Sequence, residues 1–318
     1  MNALRNTIVW ITLGAMTSGC NALKMIGKAN SGAFSRGGSA SSTLAPPVPI
    51  PTPTASSGPS TPVAVGYCET APSEGAPWLA QLLVNNQLTC TGALVGNTTA
   101  LFAAHCLDGL VPANLKIVVG TPYFDYSQDG NAVQLDVSSI YLHENYSPMT
   151  FENDVALVQL DSQVAWNSTT CAVRVPTGTQ ADLLPEAQEV QIPTLAPLPG
   201  DVAGFHPEIR TIWGISMGPQ ALLGIVGAGF EHLIGIEYTD QTQVFALAGD
   251  VAVGYFTDGQ GNYVPVAVGA VVTNLTVGGL KISAAASLVD LSDWFTTYID
   301  MPEIPADFVG NPAQVAPI

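Results

Sequence analysis

Leu101-Phe102-Ala103-Ala104-His105-Cys106 sets a histidine between an apolar run and a cysteine, and everything downstream can be placed by its spacing from His105. Around it lie short apolar runs separated by Gly, Asn and Asp: Trp78–Val84, Thr91–Val95, Leu115–Val119, Val133–Leu142 and Val155–Leu160. The second half repeats the style with Glu189–Ile192, Leu222–Val226, Leu233–Tyr238, Val251–Phe256 and Val264–Thr273. Short runs bounded by turn residues read as strands, and their number and even distribution form a barrel pattern. Near the end, Leu291, Trp294, Phe295 and Ile299 fall at helical spacing, with Ser292 placed to cap the helix.

Composition agrees with an all-β chain. The 318 residues are 47% hydrophobic, enough for a substantial core, while 31 Gly, 24 Pro and only 10% charged residues suit tight turns better than long surface helices. A formal charge of −17 with eight Lys+Arg repels polyanions, so nucleic acid is excluded as a partner. Beyond the N-terminus no run approaches the ~18 apolar residues of a membrane-spanning helix.

Residues 1–20 carry Arg5, an apolar stretch from about Ile8 to Met16, and then small residues up to Gly19-Cys20, the pattern of an export signal. Thr17-Ser18-Gly19-Cys20 resembles a bacterial lipobox, with Thr17 where leucine is usual; Cys20 would then take lipid and tether the protein to a membrane. An ordinary secretory signal with an incidental cysteine is the alternative. Residues 21–64 are Ser/Gly-rich and then Pro-rich, a composition expected to form a disordered, semi-extended linker. The folded domain is expected over 65–300, beginning near Tyr67-Cys68, with a tail at 301–318.

The motif around His105 closely resembles the histidine motif of the chymotrypsin/trypsin-like serine peptidases, and Leu88–Val95 is similar to that family's Cys-x-Gly strand. Glu152-Asn153-Asp154-Val155-Ala156-Leu157-Val158-Gln159-Leu160 resembles its aspartate motif. The resemblance spans about Cys68 to Ile299 and is weak between Pro185 and Thr242. It implies two six-stranded antiparallel β-barrels closed by a C-terminal helix, with His105 as base and Asp154 as the carboxylate that fixes its tautomer. It also implies disulfides Cys90–Cys106 and Cys68–Cys171. Of the five cysteines this leaves Cys20 unpaired, and the pairing places the chain in an oxidising compartment.

The serine motif of the family, Gly-Asp-Ser-Gly-Gly-Pro, stands here as Gly249-Asp250-Val251-Ala252-Val253-Gly254. Register therefore puts Val251 at the nucleophile position, with Gly249 and Val251 as the oxyanion-hole position, and valine has no hydroxyl with which to attack a carbonyl. The family's activating N-terminus of the Ile-Val-Gly-Gly type has no counterpart before Trp78, so Asp250 must find other donors or sit near solvent. Phe245-Ala246-Leu247-Ala248 and Thr273-Asn274 stand where the specificity pocket would form, and predict one that is apolar and narrow. Ser216, in Ile215-Ser216-Met217-Gly218-Pro219, is a candidate displaced nucleophile, with a surface-turn serine as the preferred reading.

His143, His206 and His232 have no Cys, Asp or His at ligand spacing, so neither a metal nor another cofactor is expected. The leading expectation is an exported, lipid-anchored homologue that has lost its nucleophile and acts as a binding module for a protein or peptide. The alternative is an active serine endopeptidase using another nucleophile.

Overall fold

The computed structural model describes residues 67–68, 76–167, 169–176, 188–201, 204–226, 233–257, 263–298 and 309–310. Cys20, the leader, the 21–64 segment, His232 and Ile299 lie outside them.

The first barrel consists of β1 (Leu79–Val84), β2 (Gln87–Gly96), β3 (Thr99–Phe102), β4 (Leu115–Val119), β5 (Val133–Leu142) and β6 (Ala156–Leu160). Its strands run in the order β1-β2-β3-β6-β5-β4, and antiparallel pairing of β1 with β4 closes it. The β1–β2 turn is Asn85-Asn86, with φ of 52° and 62°. Asparagine tolerates this left-handed pair, whose twist matches that of the flanking strands. Inside, Leu82, Leu94, Phe102, Ile117 and Val158 are fully buried. At Gly92 a Cβ would lie 2.3 Å from the Leu101 carbonyl oxygen and 2.5 Å from the Phe102 ring. That contact is the reason a glycine follows Cys90-Thr91: it lets β2 press against β3, which leads directly into His105.

The second barrel consists of β7 (Glu189–Thr194), β8 (Arg210–Met217), β9 (Leu233–Tyr238), β10 (Val251–Thr257), β11 (Tyr263–Val277) and β12 (Leu280–Ser287). The order is β11-β12-β9-β8-β7-β10, closed by β10 on β11. β13 (Val309–Gly310), from the segment expected to be tail, pairs with Phe256 and Thr257 of β10, just past Val253 and Gly254 where β7 is paired. The expected pair of antiparallel six-stranded barrels is thus present.

Helix α1 (Pro219–Val226) corrects the strand expected over Leu222–Val226. Proline at the first helical position is preorganised for a helix, and only Leu222 of this segment is buried, so a helical rather than alternating pattern governs it. Helix α2 (Ser292–Tyr298) matches the expected C-terminal helix and begins at Ser292. Trp294 and Phe295 pack with Trp78, Val155, Val251 and Leu288 in a core drawn from both barrels. No described helix is long and apolar enough to cross a membrane.

Both expected disulfides form. Cys90–Cys106 has a Cα–Cα distance of 6.2 Å and Cys68–Cys171 one of 5.3 Å. The Cys68 amide also donates to the Ala172 carbonyl at 2.9 Å, tying the start of the domain to the segment between the barrels.

Candidate active site

β3 delivers His105 onto a single 3₁₀ turn, Ala104–Cys106. The opposing loop enters Asp154 through a tight turn: Phe151 and Asn153 take φ of 57° and 52°, and the Val155 amide donates to the Asn153 carbonyl at 2.7 Å. This left-handed backbone turns the Asp154 side chain inward, where it is fully buried. One carboxylate oxygen accepts the His105 backbone N–H at 2.8 Å and the other meets His105 Nδ1 at 2.7 Å. A carboxylate so placed fixes the imidazole with a proton on Nδ1 and leaves Nε2 to accept one. His105 keeps 15% side-chain exposure and meets the Phe151 ring edge-on at 6.3 Å between centroids. Nearby, burial first, and then the charges of Asp154 and Asp108, push the Tyr146 hydroxyl well above its ordinary pKa.

The side facing the second barrel is organised differently. Val251 is buried at 4% exposure, at the start of β10 and opposite Ala270 of β11. Gly249, with φ of 98°, donates its amide to the Val271 carbonyl at 2.7 Å. Of the two amides expected at the oxyanion-hole position, that of Gly249 thus has an internal acceptor. A Cβ on Gly249 would sit 2.8 Å from the Cys106 sulfur, so the segment packs directly on the first-barrel disulfide.

Asp250 is fully buried and finds its donors within the protein. One oxygen accepts the Thr91 hydroxyl and the other the Leu247 amide at 2.7 Å; the Thr194 hydroxyl bonds it as well. Burial raises its pKa to about 7 against the pull of these hydrogen bonds. Thr91 and Thr194 were not singled out from sequence. The available signal was a threonine inside the Cys-Thr-Gly strand, but Thr91 and Asp250 are 159 residues apart and nothing local links them.

The specificity-pocket segments depart from the expected apolar slot, because they are bridged by polar groups. Asn274 donates from its amide to the Ala246 carbonyl at 2.8 Å and accepts the Ser283 hydroxyl at 2.7 Å. The Tyr238 hydroxyl meets Ser283 at 2.8 Å and accepts the Ala246 amide at 2.8 Å. β11 and β12 meanwhile pair along their length to a Gly278-Gly279 turn, with Asn274 opposite Ser283. The two walls are tied together through this network.

Ser216 is neither on a surface turn nor on the strand that starts at Val251. It lies in β8, two strands from β10, buried at 4% exposure, with its amide on the Gln188 carbonyl. Its buried position follows from the alternation of β8, which the Gly-Pro after Met217 obscured. His143 meets the Trp294 ring in a tilted contact, 5.2 Å between centroids, and His206 Nδ1 lies 2.7 Å from the Glu208 carbonyl oxygen. Ligand atoms of Cys90, His105 and Cys106 gather within 4.8 Å, but the two sulfurs are joined in a disulfide and offer no thiolate to a metal.

Two closed antiparallel barrels with a buried carboxylate orienting a histidine define the architecture of the two-barrel serine peptidases. Comparison with known proteins agrees. Residues 65–193 match the Trypsin family model. Mannan-binding lectin serine protease 1 of Homo sapiens is 36% identical over 121 residues, 33% of this chain and 17% of that protein. Hypodermin-A of Hypoderma lineatum is 31% identical over 131 residues, 40% of this chain and 48% of that protein. Inactive serine protease PAMR1 of Homo sapiens is 40% identical over 80 residues, 23% of this chain and 11% of that protein. The chain spans less than half the length of each of these relatives. The fold, the match over residues 65–193 and these relatives together support a chymotrypsin/trypsin-like family.

Proposed function

We propose that this chain is an exported, lipid-anchored trypsin-like serine protease homologue that does not hydrolyse peptides and serves as a binding module for a protein or peptide. The observation that carries this reading is Val251, a buried hydrocarbon side chain at the nucleophile position, in a chain that retains the His105–Asp154 pair. Covalent catalysis needs an oxygen or sulfur nucleophile within reach of the histidine, and valine supplies neither. The Gly249 amide bonded to Val271 and the Asn274 bridge across the pocket walls support the same reading, since acyl transfer needs free oxyanion donors and a seat for the substrate. Similarity to a relative named as an inactive serine protease is consistent with it. Export is supported by the 1–20 pattern and the two disulfides, and lipid attachment by Thr17-Ser18-Gly19-Cys20.

The test is a fluorophosphonate probe applied to the full chain, to Val251→Ser and to His105→Ala, with any labelled residue mapped by mass spectrometry. The natural protein is expected to stay unlabelled. Val251→Ser alone is expected to stay unlabelled too, because the Gly249 amide and the pocket walls keep their internal partners. Labelling of the natural chain that disappears in His105→Ala would establish an active peptidase and overturn the proposal. For the anchor, Cys20→Ser expressed in a bacterial host is expected to move the protein from the membrane to the soluble fraction; unchanged fractionation would remove lipidation at Cys20.

A further inference from the structure

His143, which takes no part in the catalytic pair, closes the base of the loop that presents Asp154. Its backbone N–H donates to the Val155 carbonyl at 3.1 Å, its carbonyl accepts the Tyr146 amide at 2.9 Å, and its ring nitrogen Nδ1 accepts the Asn145 amide at 3.2 Å. A backbone N–H can only donate, so this last bond requires an Nδ1 without a proton and puts the proton of the neutral ring on Nε2. From Asn145 the hydrogen bonding continues across the loop. The Asn145 carbonyl accepts the Asn153 side-chain amide at 3.1 Å, and Asn153, held at φ 52°, immediately precedes Asp154. Between them the loop carries Met149 and Phe151, both exposed, and Phe151 is the residue that meets His105 edge-on.

We infer that this turn is an acid-sensitive latch: a proton taken up from solvent at His143 Nδ1 removes the acceptor of the Asn145 amide and loosens the loop that carries Asp154. Imidazole is the side chain whose ordinary charge change falls in the mildly acidic range, which suits it to such a role. The groups around the half-buried ring set the direction. From α2, the Trp294 ring lies 5.2 Å away, and the Tyr298 hydroxyl donates to Glu144 at 2.5 Å. Glu144 is the neighbouring charge; Tyr141 packs on Tyr298, Asp293 of α2 is exposed, and Asp154 is engaged by His105. Burial holds the His143 pKa below its ordinary 6.5 and outweighs the upward pull of Glu144. A folded value below the unfolded one means that the stabilising contribution is fully present above about pH 6.5 and is lost as pH falls through the folded value. Asp250, whose pKa burial raises, acts in the opposite sense, so the two are separable. The latch involves no residue of the Val251 region and stands whether or not that region is inactive.

The test is an NMR titration of the full chain from about pH 7.5 to about pH 5, following the ring nitrogens of His143 and His105, the Asn145 amide and the Asn153 side chain. His143 is expected to start as the Nε2–H tautomer and to titrate below a free imidazole, and the Asn145 and Asn153 signals are expected to move with His143 rather than with His105. His143→Asn is the control, because an asparagine side-chain oxygen can accept the amide two residues on and does not titrate. At about pH 5 the Asn145 amide of the natural chain is expected to exchange with solvent about fivefold faster than in His143→Asn, as the loss of one hydrogen bond predicts. His143→Ala, which has no acceptor at any pH, is expected to show a similar excess over the natural chain already at about pH 7.5. The titration of the natural chain needs no substitution, so it decides the matter even where a variant misfolds. An Nδ1–H tautomer at neutral pH, an Asn145 amide that ignores the His143 midpoint or follows His105, or equal exchange in the natural chain and His143→Asn at about pH 5 would overturn the proposal.

Discussion

The two halves of the candidate site are organised differently. On the first-barrel side, His105 and Asp154 keep the complete geometry of a catalytic pair, with two hydrogen bonds to one buried carboxylate. On the second-barrel side, Val251 is buried, the Gly249 amide is bonded to the Val271 carbonyl, and Asn274 is bonded to the Ala246 carbonyl. The difference follows from what each set of groups does for the fold. Asp154 satisfies the His105 backbone N–H and cannot be removed without orphaning a buried donor. The Gly249 amide and the Asn274 side chain are satisfied by backbone carbonyls within the second half of the chain.

That contrast can be tested first at Asp250, where the largest effect is expected. Its folded-state pKa of about 7 lies above the ordinary aspartate value of 3.8. The folded protein therefore binds a proton that the unfolded chain has already released. The stabilising contribution is fully present below about pH 4 and is lost as pH rises through about 7, with a slope of up to ~1.4 kcal/mol per pH unit. Asp250→Asn is expected to flatten this dependence and to be more stable than the natural chain at pH 8, read from urea midpoints across pH 4–8. A flat profile in the natural protein would place Asp250's charge in a better-solvated setting than its burial implies.

The next effect concerns the Cys90–Cys106 bridge, which lies beside His105 and against Gly249 and so touches both halves. Replacing both cysteines with serine is expected to cost about 3 kcal/mol, as a loop of this length predicts. A single cooperative transition in the variant would mean that the halves fold as one. Two separated transitions would sharpen the comparison into two independently stable barrels. The smallest effect is at Asn274: Asn274→Ala removes the bridge between the pocket walls and is expected to cost about 1 kcal/mol. If no stability is lost, the bridge is not what holds the pocket walls together.

What could be read from sequence divides along the same line. In the first barrel, His105 and Asp154 sit in contiguous motifs, the two cysteine pairs were implied by the family resemblance, and the apolar runs listed there fall on strands. β8 was missed because Arg210–Met217 interleaves polar and apolar residues and runs into Gly218-Pro219, which reads as a turn, and α1 was taken for a strand because its Leu-Leu-Gly-Ile-Val run has no polar face. The partners of Asp250 and the Tyr238–Ser283–Asn274 network join residues brought together only by barrel closure. No local pattern encodes such pairings.

The Cys68–Cys171 bond encloses β1 to β6 in a covalent ring, since every first-barrel strand lies between the two cysteines. Tension applied to the chain upstream of Cys68 therefore crosses the sulfur bridge to Cys171 and continues into the segment leading to the second barrel. The first barrel, and His105 with it, hangs outside the mechanical path. A tether on the N-terminal side could be pulled without drawing on the hydrogen bonds that hold the histidine in place.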